Sequence, residues 1–276
     1  MSSKKTAFIC SLLTAHRSLM KIQLLSSTFD EKGCASRRQH LACFVLNDCL
    51  AIDAGSLAFA VSDEQRKSIR DIVITHAHLD HIAGLPLFVD DLFSTLEAPL
   101  KIYGSEKTIE ALERHIFNWE IYPRFSELKN EHGAVMEYVR FSPLEKIGVA
   151  NLEIIAVPVN HQVETVGFVI SEGKKQIAFT SDTAETSGFW QFINELPELK
   201  ALFIECAFPD RMSELAAASH HLTPQKLEIE LQKFKHSCDV FAINLKPMFR
   251  EEICEELAAL KMPNLKVMLP GAIYEI

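Results

Sequence analysis

The sequence predicts a layered α/β protein, because short apolar runs of strand character alternate with amphipathic helical stretches along its 276 residues. The apolar runs are too numerous for a helical bundle. The expected strands are residues 22–25, 41–46, 72–75, 101–103, 152–157, 166–170, 176–180, 201–204, 240–243 and 266–269. The expected helices carry apolar residues at three- and four-residue spacing and are residues 106–117, 187–196, 224–234 and 250–260.

Length and composition predict one large domain. A chain in which 48% of the residues are hydrophobic can bury a sizeable core, and no linker-like segment divides this one. We therefore expect a single domain over residues 21–276, preceded by an N-terminal extension over residues 1–20.

The cysteines and the first residues bear on the compartment. The seven cysteines form no CxxC pair, a pattern typical of reduced thiols, so we expect a cytoplasmic protein. Lys4 and Lys5 precede an apolar run over residues 6–15 that weakly resembles a signal peptide. Export to a periplasm is therefore the alternative.

The balance of charges argues against a broad nucleic-acid-binding face. There are 28 Lys and Arg against 37 Asp and Glu, a formal net charge of −9, whereas contacting many phosphates needs clustered basic residues. The short basic run Ser36-Arg37-Arg38 could still bind one small anion. No apolar run approaches the length of a membrane-spanning helix. We expect no nucleic-acid or membrane partner, and the mixed helical surfaces permit a homodimer without requiring one.

Polar residues follow several expected strands at the point where each strand ends. His76, Asp182, Glu205 and Asn244 each come directly after an apolar run. Loops at one edge of a sheet can converge on a common cleft while the strands hold them rigidly. These four side chains are therefore candidates for one site.

Residues 76–81 (HAHLDH) carry three imidazoles and one carboxylate, the ligand set of a metal site that activates water. Nitrogen ligands mixed with a hard anionic oxygen suit Zn, Mn or Fe. Four ligands within six residues cannot all reach one ion comfortably, so we expect two divalent ions about 3.5 to 4 Å apart. Asp182 is the best candidate for a carboxylate that bridges them, and His161 is the best additional imidazole.

The order of these residues resembles the metallo-β-lactamase superfamily across nearly the whole chain. Its pattern is HxHxDH, then a distant histidine and an aspartate, with Asp53 earlier in the run AIDAG. The resemblance implies an α/β fold of a particular kind, a four-layer αββα sandwich of the metallo-β-lactamase type. It also implies a role for each residue: His76, His78 and His161 hold one metal, Asp80 and His81 belong to the second, Asp182 bridges, and Asp53 orients the metal loop.

Four segments are similar to class II cyclic-nucleotide phosphodiesterases within that superfamily. They are residues 78–85 (HLDHIAGL), 118–123 (NWEIYP), 203–208 (FIECAF) and 221–224 (HLTP). This resemblance implies that metal-activated water attacks the phosphorus of a 3′,5′-cyclic nucleotide and yields a nucleoside 5′-monophosphate. The implied partner is a small-molecule substrate such as cyclic AMP or cyclic GMP.

The same resemblance implicates Asp80, His221 and Glu205 in catalysis. His221 would stabilise charge or protonate the leaving oxygen, and Glu205 would orient it. A purely structural carboxylate is the alternative for Glu205. Trp119, Tyr122 and Phe125 would be core or lid packing, with a wall for base stacking as the alternative.

One residue departs from the family pattern. Asn244, in the run AINLKP, stands where the family carries a histidine that completes the second metal site. An amide oxygen ligates Mg or Mn acceptably but is a poorer zinc ligand than imidazole. We therefore expect two divalent ions, with Zn favoured over Mn, Fe or Mg, and a second site that is weaker, different or absent.

Two other functions fit the same residues. The first is another hydrolase on this scaffold, such as an RNase Z-like nuclease, a lactonase or a thioesterase, because fold alone does not determine the substrate. The acidic net charge argues against tRNA as the substrate. The second is a catalytically weak protein that senses nucleotides and has lost the second metal because Asn244 replaces the family histidine.

Overall fold

The computed structural model describes residues 19–276, so residues 1–18 of the expected N-terminal extension lie outside the described range. The strands are β1 (Lys21–Leu24), β2 (Phe44–Leu46), β3 (Leu50–Ile52), β4 (Asp71–Val73), β5 (Leu100–Gly104), β6 (Lys129–Asn130), β7 (Gly133–Ala134), β8 (Met136–Arg140), β9 (Lys146–Val149), β10 (Leu152–Pro158), β11 (Val166–Glu172), β12 (Lys175–Phe179), β13 (Ala201–Glu205), β14 (Asp239–Ile243), β15 (Leu265–Val267) and β16 (Ile273–Glu275). The helices are α1 (Leu57–Ala60), α2 (Asp63–Ser68), α3 (Leu79–Ile82), α4 (Leu85–Leu92), α5 (Glu106–His115), α6 (Gly188–Asn194), α7 (Ser213–Ala218), α8 (Pro224–Leu231) and α9 (Arg250–Ala259). Short 3-10 helices lie at Phe125–Glu127 and Asp210–Met212.

Two large mixed sheets form the middle of the molecule. The first has the strand order β16-β1-β2-β3-β4-β5-β8, and the second has the order β15-β14-β13-β12-β11-β10-β9. Strands β3, β4, β5 and β8 run parallel, as do β12, β13, β14 and β15. Each sheet therefore has a parallel half whose strands end at a common edge.

Apolar side chains from both sheets form the central core. Phe44 of the first sheet contacts Phe179 of the second, with ring centroids 5.3 Å apart, and Phe179 stacks on Phe203. Because side chains alternate along a strand, Val45 packs on the outer face with Phe88 of α4. Helices α6, α8 and α9 cover the outer face of the second sheet. The structure confirms the predicted α/β class and the four-layer αββα sandwich.

The expected helices agree closely with α5, α6, α8 and α9. The expected strand at 41–46 starts only at Phe44, because the amide of Ala42 donates to the carbonyl of Asp80 at 2.8 Å instead of entering the sheet. Strands β3, β6 to β9 and β16 and the short helices α1 to α4 and α7 had no expected counterpart. Within residues 19–276, no helix is long and apolar enough to cross a membrane.

Left-handed backbone follows the parallel strands at the edge where both sheets end. Asp53 after β3 has a φ of 57°, Ser181 after β12 has a φ of 57°, and Asn244 after β14 has a φ of 56°. Positive φ is uncommon for residues other than glycine, and such residues cluster at functional sites. These turns lie beside the residues that the sequence marks as candidates.

Candidate metal centre

Three histidines from two loops meet at this edge. His76 follows β4 and is fully buried, and its Nδ1 lies 3.0 Å from Thr75 Oγ1. His78 Nδ1 lies 3.2 Å from His161 Nε2. One ring nitrogen from each histidine lies within 4.8 Å of the others. The expected ligands of the first metal are therefore close together.

Asp182 connects this cluster to His81. The Nδ1 atom of His81 lies 2.7 Å from Asp53 Oδ2, and its Nε2 lies 3.4 Å from Asp182 Oδ2. Asp53 also accepts a hydrogen bond from the backbone of Thr75 at 2.8 Å. Asp53 therefore holds His81 in place and ties it to the end of β4, as a residue that orients the metal loop would. Among the described residues, His76, His81 and Asp182 form a second potential ligand group.

The donor set fits a divalent metal ion. His76 Nε2 is buried and has no hydrogen-bond partner within residues 19–276. A buried polar atom without a partner is costly, so such an atom in a native site needs an explanation. Imidazole nitrogens beside a carboxylate are suited to Zn and similar ions. A metal bound at this cluster would give His76 its missing partner.

The electrostatics favour the ligand forms of His76 and Asp182. Burial lowers the pKa of His76 well below its usual value, and the neighbouring His81 lowers it further, so His76 is neutral. Burial alone would raise the pKa of Asp182, but His81 and His76 outweigh burial and hold it well below the usual value. Asp182 is therefore an anion surrounded by imidazoles.

The other expected ligands have protein partners already. Asp80 Oδ2 lies 3.5 Å from the ammonium group of Lys246, and Asn244 Nδ2 donates to Asp182 Oδ1 at 2.6 Å. We expected Asn244 to offer its oxygen to a metal, but here it offers nitrogen to a carboxylate. An ionised Asp182 favours that orientation, because an amide oxygen would face another oxygen. Lys246 was missed as a site residue, although it stands only two positions after Asn244.

His221 and Glu205 form a buried pair beside the metal ligands. His221 Nδ1 lies 2.7 Å from Glu205 Oε1, which also accepts from the backbone of Thr183 at 2.8 Å. Burial acts to lower the pKa of His221, but the charge and hydrogen bond of Glu205 outweigh it and raise the pKa. Ring nitrogens of His221 and His161 lie within 4.8 Å of each other and of an Asp182 oxygen. The pair is placed to handle a proton next to the cluster.

The aromatic residues take no part in the cleft at the centre. This cleft, of about 210 Å³, borders Asp80, His81 and Asp182. Phe125 is buried and Tyr122 packs against the same core cluster, whereas Trp119 is 56% exposed. The predicted packing role is thus confirmed for Tyr122 and Phe125, and none of the three lines this cleft.

Comparison with known proteins places the chain in a family. A model described as a β-lactamase superfamily domain matches residues 46–234, more than half of the chain. The chain belongs to the β-lactamase superfamily. The resemblance inferred from the sequence is confirmed at this level.

Relatives within the superfamily bear two different names. A probable 3′,5′-cyclic-nucleotide phosphodiesterase of Yersinia pestis is 26% identical over 212 residues, which cover 67% of this chain and 60% of that protein. A ribonuclease Z of Methanococcus maripaludis is 32% identical over 115 residues, which cover 41% of this chain and 35% of that protein. The chain spans 50 to 60% of the length of the phosphodiesterase relatives it matches.

A solved structure supports the fold of this superfamily member. The metallo-β-lactamase fold protein YhfI from Bacillus subtilis matches with a TM-score of 0.72 at 17% identity, covering 93% of this chain and 99% of that one. At this identity the likeness concerns the fold alone. It agrees with the αββα sandwich described above.

Proposed function

We propose that this protein is a metal-dependent phosphodiesterase that hydrolyses 3′,5′-cyclic nucleotides to nucleoside 5′-monophosphates. The observation that carries the proposal is the position of His221, which is bonded to Glu205 and lies within 4.8 Å of the potential metal ligands His161 and Asp182. A proton donor beside a metal cluster suits hydrolysis of an ester with a poor leaving group. The relatives named as phosphodiesterases support the choice of ester.

The residues of the centre divide between two potential metal positions. His76, His78 and His161 would hold one divalent ion, with Asp182 beside it, and Asp80 and His81 would contribute to a second, whereas the Asn244 amide is directed at Asp182. When bound, such ions lower the pKa of water toward about 7 and neutralise charge on a phosphoryl group. The donor set favours Zn, with Mn, Fe or Mg as alternatives.

The remaining residues position groups and move protons. Glu205 holds Nδ1 of His221, so the protonated ring donates from Nε2 to the 3′-oxygen that leaves. Asp80 and Lys246 both line the cleft, where the Lys246 cation can offset the negative charge of the substrate. Asp53 keeps His81 oriented through the 2.7 Å contact.

A second candidate is cleavage of RNA. The ribonuclease Z relatives have the higher identity, 32% over 115 residues, which favours this activity. The net charge of −9 opposes it, because binding a long polyanion needs many cations. Cleavage of precursor tRNA by the metal-loaded protein would establish it.

A substrate panel tests the proposal. Cyclic AMP, cyclic GMP, linear phosphodiesters, precursor tRNA and lactones would each be incubated with the full chain and Zn, Mn or Mg. We expect cyclic nucleotides to yield 5′-monophosphates. Cleavage of another ester with cyclic nucleotides left intact would refute the proposal. Tight nucleotide binding without turnover at any metal would favour a sensing protein instead.

A further inference from the structure

A second, larger cavity lies beside the cleft at the metal centre. It has a volume of about 910 Å³ and is lined by Arg37 and Arg38 on one side and by the start of α9 on the other. We call it the arginine cavity. It shares Pro247 and Met248 with the smaller cleft. A molecule bound at the centre can therefore extend into it, and its volume is that of a typical ligand site.

Three guanidinium groups line this cavity without an ion-pair partner. Within residues 19–276, no carboxylate oxygen lies within 4.0 Å of Arg37, Arg38 or Arg250. Arg250 is only 7% exposed, and its one hydrogen bond runs from Nη2 to the carbonyl of Met268 at 3.2 Å. A guanidinium has five N–H donors, and an unpaired buried charge is costly. Arg250 is such a buried charge, and the exposed Arg37 and Arg38 line the same cavity, so the three together indicate a missing anion.

The N-terminus of α9 adds uncapped backbone N–H donors to the cavity, and Glu251 and Glu252 in the same first turn offset part of its positive charge. Its N-cap residue, Phe249, provides no side-chain acceptor, so the first-turn backbone N–H groups are uncapped. Aligned peptide dipoles give a helix N-terminus partial positive charge, which favours anions such as phosphate. Burial lowers the pKa of Arg250, and the nearby Arg37 contributes in the same direction through repulsion. An anion between the two arginines would relieve that repulsion.

The acidic residues of the cavity are confined to the α9 wall. Glu252 forms an ion pair with Arg211, whose Nε donates to Oε1 at 2.8 Å and whose Nη2 donates to Oε2 at 3.0 Å. Glu251 and Glu255 are exposed to solvent. Arg250 begins the same helix as these carboxylates, whereas no acidic residue of the described chain lines the opposite side, so an anion is expected on the side of Arg37 and Arg38.

The segment that carries the arginines is held in place. Thr28 Oγ1 donates to the carbonyl of Arg38 at 2.5 Å, and Gln39 Nε2 donates to the carbonyl of Leu25 at 2.8 Å. The same segment continues to Ala42, whose amide bonds to the backbone of Asp80. The arginines are therefore connected to the metal loop by ordered backbone rather than by a free tail.

We propose that the arginine cavity binds a phosphate group of the substrate other than the one that is cleaved. This inference rests on the proposed phosphodiesterase function and narrows its substrate class. The preferred substrate is then a cyclic nucleotide that carries a second phosphate, with the cleaved phosphate at the metal centre and the second one between Arg37, Arg38 and Arg250. Guanidinium groups suit this task because their paired N–H donors match phosphate oxygens.

Binding of inorganic pyrophosphate tests the cavity without any turnover. Isothermal titration would use the full chain after EDTA treatment, so that bound metal cannot capture the probe. The Arg37→Ala/Arg38→Ala variant should bind at least about tenfold more weakly than wild type. The control, Lys32→Ala/Arg114→Ala, removes the same charge at exposed positions outside the cavity and should bind like wild type. Absent binding to wild type, or equal weakening in both variants, would overturn the cavity's role.

Competition against cyclic AMP hydrolysis tests the substrate class. The competitors are the dinucleotide adenylyl-(3′→5′)-adenosine with and without a 5′-phosphate, which differ only in that group. The phosphorylated form should inhibit wild type at least about tenfold more strongly, and this difference should vanish in Arg37→Ala/Arg38→Ala. Equal inhibition of wild type would overturn the claim. Failure to hydrolyse cyclic AMP would instead refute the proposed function, while the pyrophosphate titration would still decide the cavity.

Discussion

The two halves of the metal centre differ in what already surrounds their ligand atoms. In the first half, His76, His78 and His161 bring ring nitrogens within 4.8 Å of one another, and His76 Nε2 has no partner among the described residues. In the second half, the Lys246 ammonium lies 3.5 Å from Asp80, and the Asn244 amide donates to Asp182. The first half is arranged to receive a cation, whereas hydrogen-bond donors of the protein occupy the second.

This difference originates at the end of one strand. Asn244 and Lys246 both follow β14, and both act on carboxylates that would otherwise face a metal. A histidine at position 244 would offer a ligand nitrogen, which an amide donor does not. We therefore expect unequal occupancy of the two halves.

Removal of the shared carboxylate should have the largest effect. Asp182 lies beside potential ligands of both halves, so Asp182→Ala should abolish activity by removing the carboxylate that the two halves share. The fold should remain, which circular dichroism would verify alongside activity. Turnover retained at a measurable fraction of wild type would show that Asp182 does not have this role.

Matched substitutions in the two halves should separate them. His78→Ala removes a ligand from the first half, and bound zinc should fall from about one per chain toward zero. Asp80→Ala removes a carboxylate from the second half and should leave that zinc in place. Elemental analysis of both variants gives the answer. Equal zinc loss in both would contradict the comparison.

Substitution of Asp53, the residue that orients His81, should reduce metal affinity or activity by a smaller factor. Asp53→Asn replaces a carboxylate by an amide of the same shape and weakens the 2.7 Å contact to His81. Substitutions behind a metal ligand typically cost about 10- to 100-fold in metal affinity or activity. Steady-state kinetics at several zinc concentrations would measure it. An unaltered zinc dependence would mean that His81 needs no such support.

The smallest change should come from restoring the family ligand. Asn244→His would replace the amide donor by an imidazole, and zinc content should rise from about one toward two per chain. Lys246→Met is a companion variant that removes only the cation beside Asp80. Metal content unchanged in Asn244→His would argue that position 244 does not limit the second site.

Local patterns explain why part of this molecule could be predicted. The helices α5, α8 and α9 follow from apolar spacing, and the ligand motif at 76–81 lies within six consecutive residues. The class of fold followed from the number of apolar runs, and the sandwich followed from the resemblance. These features depend on neighbours in sequence.

Contacts between distant segments account for what could not be predicted. Lys246 lies 3.5 Å from Asp80 although more than 160 positions separate them, and Arg250 lines the same cavity as Arg37 across more than 200 positions. The strand expected over residues 41–46 begins only at Phe44, because the amide of Ala42 donates to the carbonyl of Asp80. No local pattern encodes such pairings, so the basic run 36–38 suggested an anion but not its position.

The most direct test of unequal halves is the zinc content of the wild-type chain. The protein would be loaded with excess zinc, desalted and measured by elemental analysis against protein concentration. The arrangement of Asn244 and Lys246 predicts about one tightly held zinc per chain. Two zinc ions retained per chain with similar affinity would contradict it.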